Sequence, residues 1–212
     1  MKLYTFYTDS HEKLLKEYFL PSVPKEDEFE LVVEKFPQEC LSGNFMENGW
    51  IDTMRKKVLY VLRGIEENWG NIFIHSDCDV CFLKPFKKEI INEIENYDLV
   101  GQHDGGGSIC CGFFACRAND KTKKLFKAVL NDISKNNNDQ HSFNKLKNNY
   151  ITSKILDDRF FSVNSILNGK VWTDEIDLDI NKNILLIHAN WTVGVENKCK
   201  LIDLIKNKKK EN

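Results

Sequence analysis

The sequence has no surplus of either charge: 30 lysines and arginines stand against 32 aspartates and glutamates. That balance offers no global field to nucleic acid or an anionic membrane, so partners must be chosen locally, by a site. A run of about 18 apolar residues is also missing, which argues against a membrane-spanning helix. The amino terminus has no signal-peptide pattern, because Met1-Lys2-Leu3-Tyr4-Thr5-Phe6 runs directly into a strand pattern. A soluble, cytoplasmic protein is the expectation. A disulfide frame is absent as well. The seven cysteines are odd in number and scattered through apolar stretches (Cys78, Cys81, Cys110, Cys111, Cys116), with Cys40 and Cys199 outlying. Such a pattern suits reduced, packing side chains. Cys78-x-x-Cys81 has zinc spacing, but no second Cys/His pair lies at finger distance.

The 212 residues suit one domain, 1–212, whose end, 200–212, reads as a solvated lysine- and asparagine-rich tail. Lys2 to Thr8 alternates as a strand, and Thr8-Asp9-Ser10 supplies a cap for a helix over about 11–20 that Pro21 and Pro24 end. Glu28 to Val33 is a second short strand, and Gly43 to Gly49 a loop. From Trp50, apolar residues recur at helical spacing (Ile51, Met54, Val58, Val61, Leu62, Ile65). Arg55, Lys56 and Lys57 crowd the start of that helix, where cations oppose its dipole; a nearby phosphate would explain them, as would a solvated face. Helices over 87–96 and 120–134 alternate with strands at Leu99-Val100-Gly101 and at Ile109 to Cys116, the latter interrupted by Gly112. Asp139-Gln140 opens another helix, with Asp139 as its cap. Short extended pieces follow at 155–158 and 160–163, and Ile184 to His188 is a last buried strand. Alternation of strands with helices makes the fold class α/β, with a mainly parallel mixed sheet flanked by helices.

The chemistry concentrates where apolar strands stop. Ile72-Phe73-Ile74 is followed by Asp77-Cys78-Asp79, two carboxylates spaced i, i+2 at a strand end. Neighbouring carboxylates repel and cost solvation, so a counter-charge such as a hard divalent cation with oxygen ligands would relieve them. A turn in which one aspartate caps the next segment is the alternative. Asp104 and His188 also fall at strand ends, which is where α/β sheets gather their sites. An imidazole beside the two aspartates suits manganese or magnesium. Gly105-Gly106-Gly107 permits either a close approach to a ligand or a mobile loop.

Phe73-Ile-His-Ser-Asp77-Cys-Asp79-Val-Cys-Phe-Leu-Lys-Pro85 resembles the strand, Asp-x-Asp and Pro core of the GT-A nucleotide-sugar transferases. Cys111-Gly112-Phe113-Phe114-Ala-Cys-Arg117, Asp139-Gln140-x-x-Phe143-Asn144 and His188-Ala-Asn190-Trp191-x-x-Gly194-x-x-x-Lys198 follow in that family's order. The resemblance is nearest to the nucleotide-diphospho-sugar transferases that include plant cell-wall xylosyl- and arabinosyltransferases and small algal-virus enzymes. It implies a GT-A domain that moves a sugar from a UDP-sugar to a hydroxyl of a glycan or glycoconjugate. By the same resemblance, Asp77, Asp79 and His188 would hold Mn2+ or Mg2+, with Asp77 also handling the ribose, and Gly194 and Lys198 would meet the diphosphate. Asp104 would hold donor sugar hydroxyls, Asp139 and Gln140 would lie beside the anomeric carbon, and Thr8 and Asp9, with Lys57 nearby, would line the uridine pocket. The family's usual asparagine two residues before the glycine matching Gly112 is here Cys110.

A haloacid-dehalogenase-like phosphatase is the rival, with Asp77 as nucleophile and Asp157-Asp158 as distal metal ligands, although two strand candidates precede Asp77 where that scheme expects none. A non-catalytic nucleotide-sugar-binding module is a third reading. For an inverting reaction the base candidates are Asp139, Asp104 and Asp158. Because a strand-end carboxylate adds little to a core, Asp79→Ala is expected to leave the fold near wild type.

Overall fold

The computed structural model describes residues 1–134 and 138–210. Among the described residues, nine strands form two sheets. The larger sheet has the order β2-β1-β3-β6-β5-β7, with β1 (Lys2–Tyr7), β2 (Glu30–Lys35), β3 (Ile72–Ser76), β5 (Leu99–His103), β6 (Ile109–Arg117) and β7 (Ser153–Ile155). All of these strands point the same way except β6, which runs antiparallel to both of its neighbours. The smaller sheet is β4 (Val80–Phe82), β9 (Leu186–His188) and β8 (Phe160–Ser162), in that order.

Alternation along the strands sorts side chains onto two covered faces. Tyr4, Phe6, Phe73, Leu99, Phe114 and Cys116 join one core with Val58, Val61 and Ile65 of α2 (Trp50–Glu67) and Leu125, Phe126 and Val129 of α4 (Asp120–Asp132). Leu3, Ile74, Val100, Phe113 and Ala115 point the other way, onto Leu15, Phe19, Val80, Phe82 and Ile90, the last from α3 (Lys87–Glu93). Coverage of both faces is the reason the strands read as continuous apolar runs. The smaller sheet carries its own apolar cluster, in which Cys81, Phe161 and Ile187 meet Trp172, Leu201, Ile202 and Ile205.

Several sequence expectations change. The helix expected over 11–20 is a 3-10 turn at Asp9–His11 followed by a wide helical turn at Leu14–Phe19 and a last turn α1 (Leu20–Ser22), with Val23 extended before Pro24. Gly112 does not interrupt β6, which is continuous over nine residues. The cap of α5 (Asp139–Leu146) is Asn138, whose side chain accepts from the His141 amide at 2.7 Å, so Asp139 is released from that duty. The solvated tail expected over 200–212 is contradicted as far as Lys210. Val195 to Lys210 is helix α7, and Leu201, Ile202 and Ile205 are buried on it, with Lys200 and Asp203 on the exposed side. Residues 135–137 and 211–212 lie outside the described residues.

Candidate active site

β3 ends at Ser76, and the Asp77 amide donates to the Gly112 carbonyl at 2.6 Å, which turns the chain across β6. Asp79 follows, its backbone carbonyl accepting from the Ala189 amide at 3.1 Å, while Val80 pairs in register with His188 across β4 and β9. Those main-chain ties bring three ligand-capable side chains together. One oxygen each of Asp77 and Asp79 and a ring nitrogen of His188 lie within 4.8 Å of one another, and among the described residues no other group of this kind occurs.

The carboxylates are held by cations. Lys57 Nζ sits 2.8 Å from Asp77 and 3.5 Å from Asp139, and Lys198 Nζ lies 2.5 Å from Asp79 while also donating to the Ala189 carbonyl. Burial alone would push the Asp79 carboxyl up, but Lys198 and His188 outweigh it and hold it well below the usual carboxylate range. Asp77 is likewise depressed, with Lys57 and His75 overcoming its burial. His188 moves the other way. Burial opposes its charge, yet Asp79 raises it to about 10. The basic cluster Arg55, Lys56 and Lys57 therefore needs no phosphate: Lys57 takes Asp77 and Asp139, Lys56 takes Glu39, and Arg55 donates to the Ile133 carbonyl.

A surrounding layer, mostly unseen in the sequence, orients these groups. Gln102 is fully buried at the penultimate turn of β5, and its amide nitrogen faces the carbonyls of Phe160 and Phe161 at 3.3 and 3.1 Å. That fixes its oxygen as the partner of His188 Nδ1 at 2.9 Å, leaving Nε2 turned toward Asp79. Gly112 supplies room. A Cβ there would come within 2.2 Å of His188 Cε1 and 2.9 Å of Asp77 Oδ2. Asp104, buried beyond the triad, accepts from the Gln140 amide and from Asn190 Nδ2 at 2.9 Å; burial pushes its carboxyl up against the pull of neighbouring side chains that include Asn164 and Trp191.

One cavity of about 340 Å3 unites these groups. Asp77, Asp79, His188 and Lys198 lie in its wall with Thr8, Lys57, Asp104, Asp139, Gln140 and Gly194. Phe6, Phe45, Trp50 and Met54 line it as well, and His11, which no motif flagged, joins them. The amino terminus of α7 opens onto it through Gly194, whose φ of +86° suits glycine. Asp9 is the expected residue that the structure does not bring here: it is exposed and bonded to Lys35 at 2.5 Å. Asp157 and Asp158 line a separate depression with His103 and Asn181, Asp157 clamped by Arg159 and Asp158 by Asn181. The phosphatase scheme thus loses its second metal pair, and Asp158 falls away as a base.

The sequence model of the nucleotide-diphospho-sugar transferase family matches residues 27–202. No curated protein sequence matches the chain. Among solved structures, a glycosyltransferase involved in glycosylation of the major capsid of PBCV-1 superposes with a TM-score of 0.62 at 13% identity, over 96% of this chain and 100% of that one. The galactosyltransferase LgtC, solved with donor and acceptor sugar analogues, gives 0.55 at 12% identity, over 90% and 87% of the two chains. The glycosyltransferase GlyE of Streptococcus pneumoniae TIGR4 gives 0.55 at 9% identity, over 95% of this chain and 60% of that one. At such identities the superpositions speak for the fold, and the sequence match speaks for the family. The protein belongs to the nucleotide-diphospho-sugar transferase family and has the GT-A fold of sugar transferases.

Proposed function

We propose that this protein is a metal-dependent glycosyltransferase that moves a sugar from a UDP-sugar to a hydroxyl of a glycan acceptor. The carrying observation is the convergence of Asp77, Asp79 and His188 in a cavity that also holds Lys198 and the Asp104–Gln140–Asn190 group. The donor set fits a divalent cation. Asp79 Oδ1 is buried with no hydrogen bond, facing His188 Nε2 at 3.3 Å, and the missing side chain of Gly112 lets His188 and Asp77 sit close against β6. Two carboxylates and an imidazole are the mixed oxygen and nitrogen donors that manganese or magnesium accepts.

When bound there, the cation would neutralise charge on the departing diphosphate. The chain supplies the rest. Lys198 and the amino terminus of α7 present positive charge to that diphosphate. Thr8 and Lys57 stand at the nucleoside side, where Phe6, Trp50 and Met54 offer apolar surface. Asp104, fixed by two side-chain amides, accepts from donor sugar hydroxyls, and Asp139 and Gln140 flank the reacting carbon. A single domain acting in the cytoplasm is part of this reading, supported by seven buried cysteines that are all free; among the described residues no helix is long and apolar enough to cross a membrane.

The test is release of UDP and free sugar when the purified protein receives a UDP-sugar and manganese without acceptor, water replacing the missing hydroxyl. Chelation should stop the release. Lys198→Ala should slow it by about 2–4 kcal/mol of barrier, the scale of one preorganised electrostatic group. A preference for guanine or cytosine nucleotides refutes the donor assignment. Hydrolysis of p-nitrophenyl phosphate with no UDP release from any nucleotide sugar overturns the whole reading.

A further inference from the structure

Trp191 is anomalous in two ways. Its backbone has φ of +50°, the left-handed region that bulky side chains avoid, and its side chain is 38% exposed although tryptophan gains most from burial. Main-chain geometry holds it there. The Trp191 carbonyl accepts from the Trp172 amide at 2.8 Å, and Gly194 with its own positive φ turns the chain back into α7. The strain therefore keeps an aromatic plane in the cavity wall, and backbone strain of this kind collects at ligand clamps.

The surroundings say what meets that plane. Trp191 adjoins Asn190, whose amide holds Asp104, and its own side chain is among the groups that stabilise the Asp104 charge. Val171 and Val193, both about half exposed, flank it in the cavity wall. On the other side of Asp104 the chain enters Gly105-Gly106-Gly107, all with positive φ, and a Cβ on Gly106 or Gly107 would meet nothing within 4 Å. An exposed aromatic and aliphatic face thus lies beside the carboxylate assigned to the donor sugar, and the side-chain-free Gly106 and Gly107 follow that carboxylate in the chain. A pyranose ring matches such a plane with its one face of C–H groups.

Resting on the transferase reading above, we propose that Trp191, with Val171 and Val193, is the acceptor platform: it receives the C–H face of a pyranoside, so that the acceptor is a sugar ring and not a serine, threonine or tyrosine hydroxyl of a polypeptide. The acceptor's aglycone or next residue leaves over Gly106 and Gly107. In the transfer, the acceptor oxygen forms a bond to the anomeric carbon, the bond from that carbon to the diphosphate breaks with its electron pair on the diphosphate, and the acceptor proton leaves to solvent or phosphate.

UDP release from UDP-glucose, UDP-galactose and UDP-xylose is followed with manganese in the presence of methyl β-glucoside, β-galactoside, α-mannoside or β-xyloside. N-acetylserinamide and N-acetyltyrosinamide at equal concentration are the polypeptide probes. At least one glycoside should accelerate release and yield a disaccharide glycoside by mass spectrometry, while the amides do neither. Trp191→Leu, which keeps apolar bulk but loses the plane, should lower acceptor kcat/KM about five- to tenfold, chiefly through KM, and Trp191→Phe should retain most of it, as a stacked ring requires. If an amide is glycosylated and no glycoside is, or if Leu and Phe behave alike, the inference is wrong while UDP release leaves the transferase reading standing. Absence of any donor turnover overturns both.

Discussion

Gln102 has one amide to satisfy three partners, and its two ends are not interchangeable. The Phe160 and Phe161 carbonyls of β8 take its N–H groups, so only its oxygen is left for His188. Gln102→Leu removes that acceptor and frees the ring to turn; manganese affinity measured by calorimetry should fall about 10–100-fold, the usual cost of losing a ligand's orienting partner. Nothing in the sequence announced this residue, since a buried glutamine in a strand carries no motif and its partners lie some 60 to 86 positions away. The Asp-x-Asp pair was legible because charge at the end of an apolar strand is anomalous on its face. The burial and ion pairs of Asp79 revise the energetic expectation for its removal. The carboxylate is buried between Lys198 and His188, so Asp79→Ala strands two cations and should cost about 3–5 kcal/mol of stability by chemical denaturation, where a near-wild-type fold was expected. Asp79→Asn, which keeps the shape, is the better variant for metal titrations.

Among the elements, strands β1, β3 and β5 and helices α2 and α4 were readable from period and apolar content, the strands because both of their faces are covered and the helices because one is. Helix α7 was not. Its lysines at 206 and 208 to 210 dominate the composition and mask the spacing of Leu201, Ile202 and Ile205, which is helical and fully inward. Ile202→Ala should cost about 2–5 kcal/mol as a core truncation, seen as a lower denaturation midpoint, and a truly solvated tail would show no change. β6 was misread for the opposite reason. A glycine inside a strand looks like a break, yet Gly112 keeps the ladder and clears the space occupied by the His188 ring on the neighbouring sheet.

For the whole molecule, a proton and the proposed metal would compete for one imidazole. The ordinary histidine value is 6.5 and His188 in the folded chain sits near 10, so its pairing stabilises the metal-free fold fully below about 6.5 and is lost as pH rises through about 10. Asp79 acts at the acid end, its contribution present above the ordinary carboxylate value and lost as pH falls through its depressed one. The metal-free protein should therefore lose thermal stability between about pH 7 and 10, whereas manganese affinity should rise over the same interval, each bound ion releasing a proton. Manganese about 100-fold above its dissociation constant should add about 2.7 kcal/mol, a rise of several degrees in the melting temperature that EDTA reverses. A scan with no manganese-dependent shift at any pH sinks the metal assignment.

The small sheet that ends in His188 and begins one residue after Asp79 joins distant parts of the chain, and Lys198 reaches back to Asp79 across 119 positions. Loop closure over such a span comes late in folding. During synthesis, Asp77 and Asp79 emerge long before their imidazole and ammonium partners. A ribosome-bound chain that stops short of β9 then has a large sheet and a pair of repelling carboxylates, but no ion site. If Asp77, Asp79 and His188 hold manganese as proposed, a chain truncated before β9 should fail to bind it.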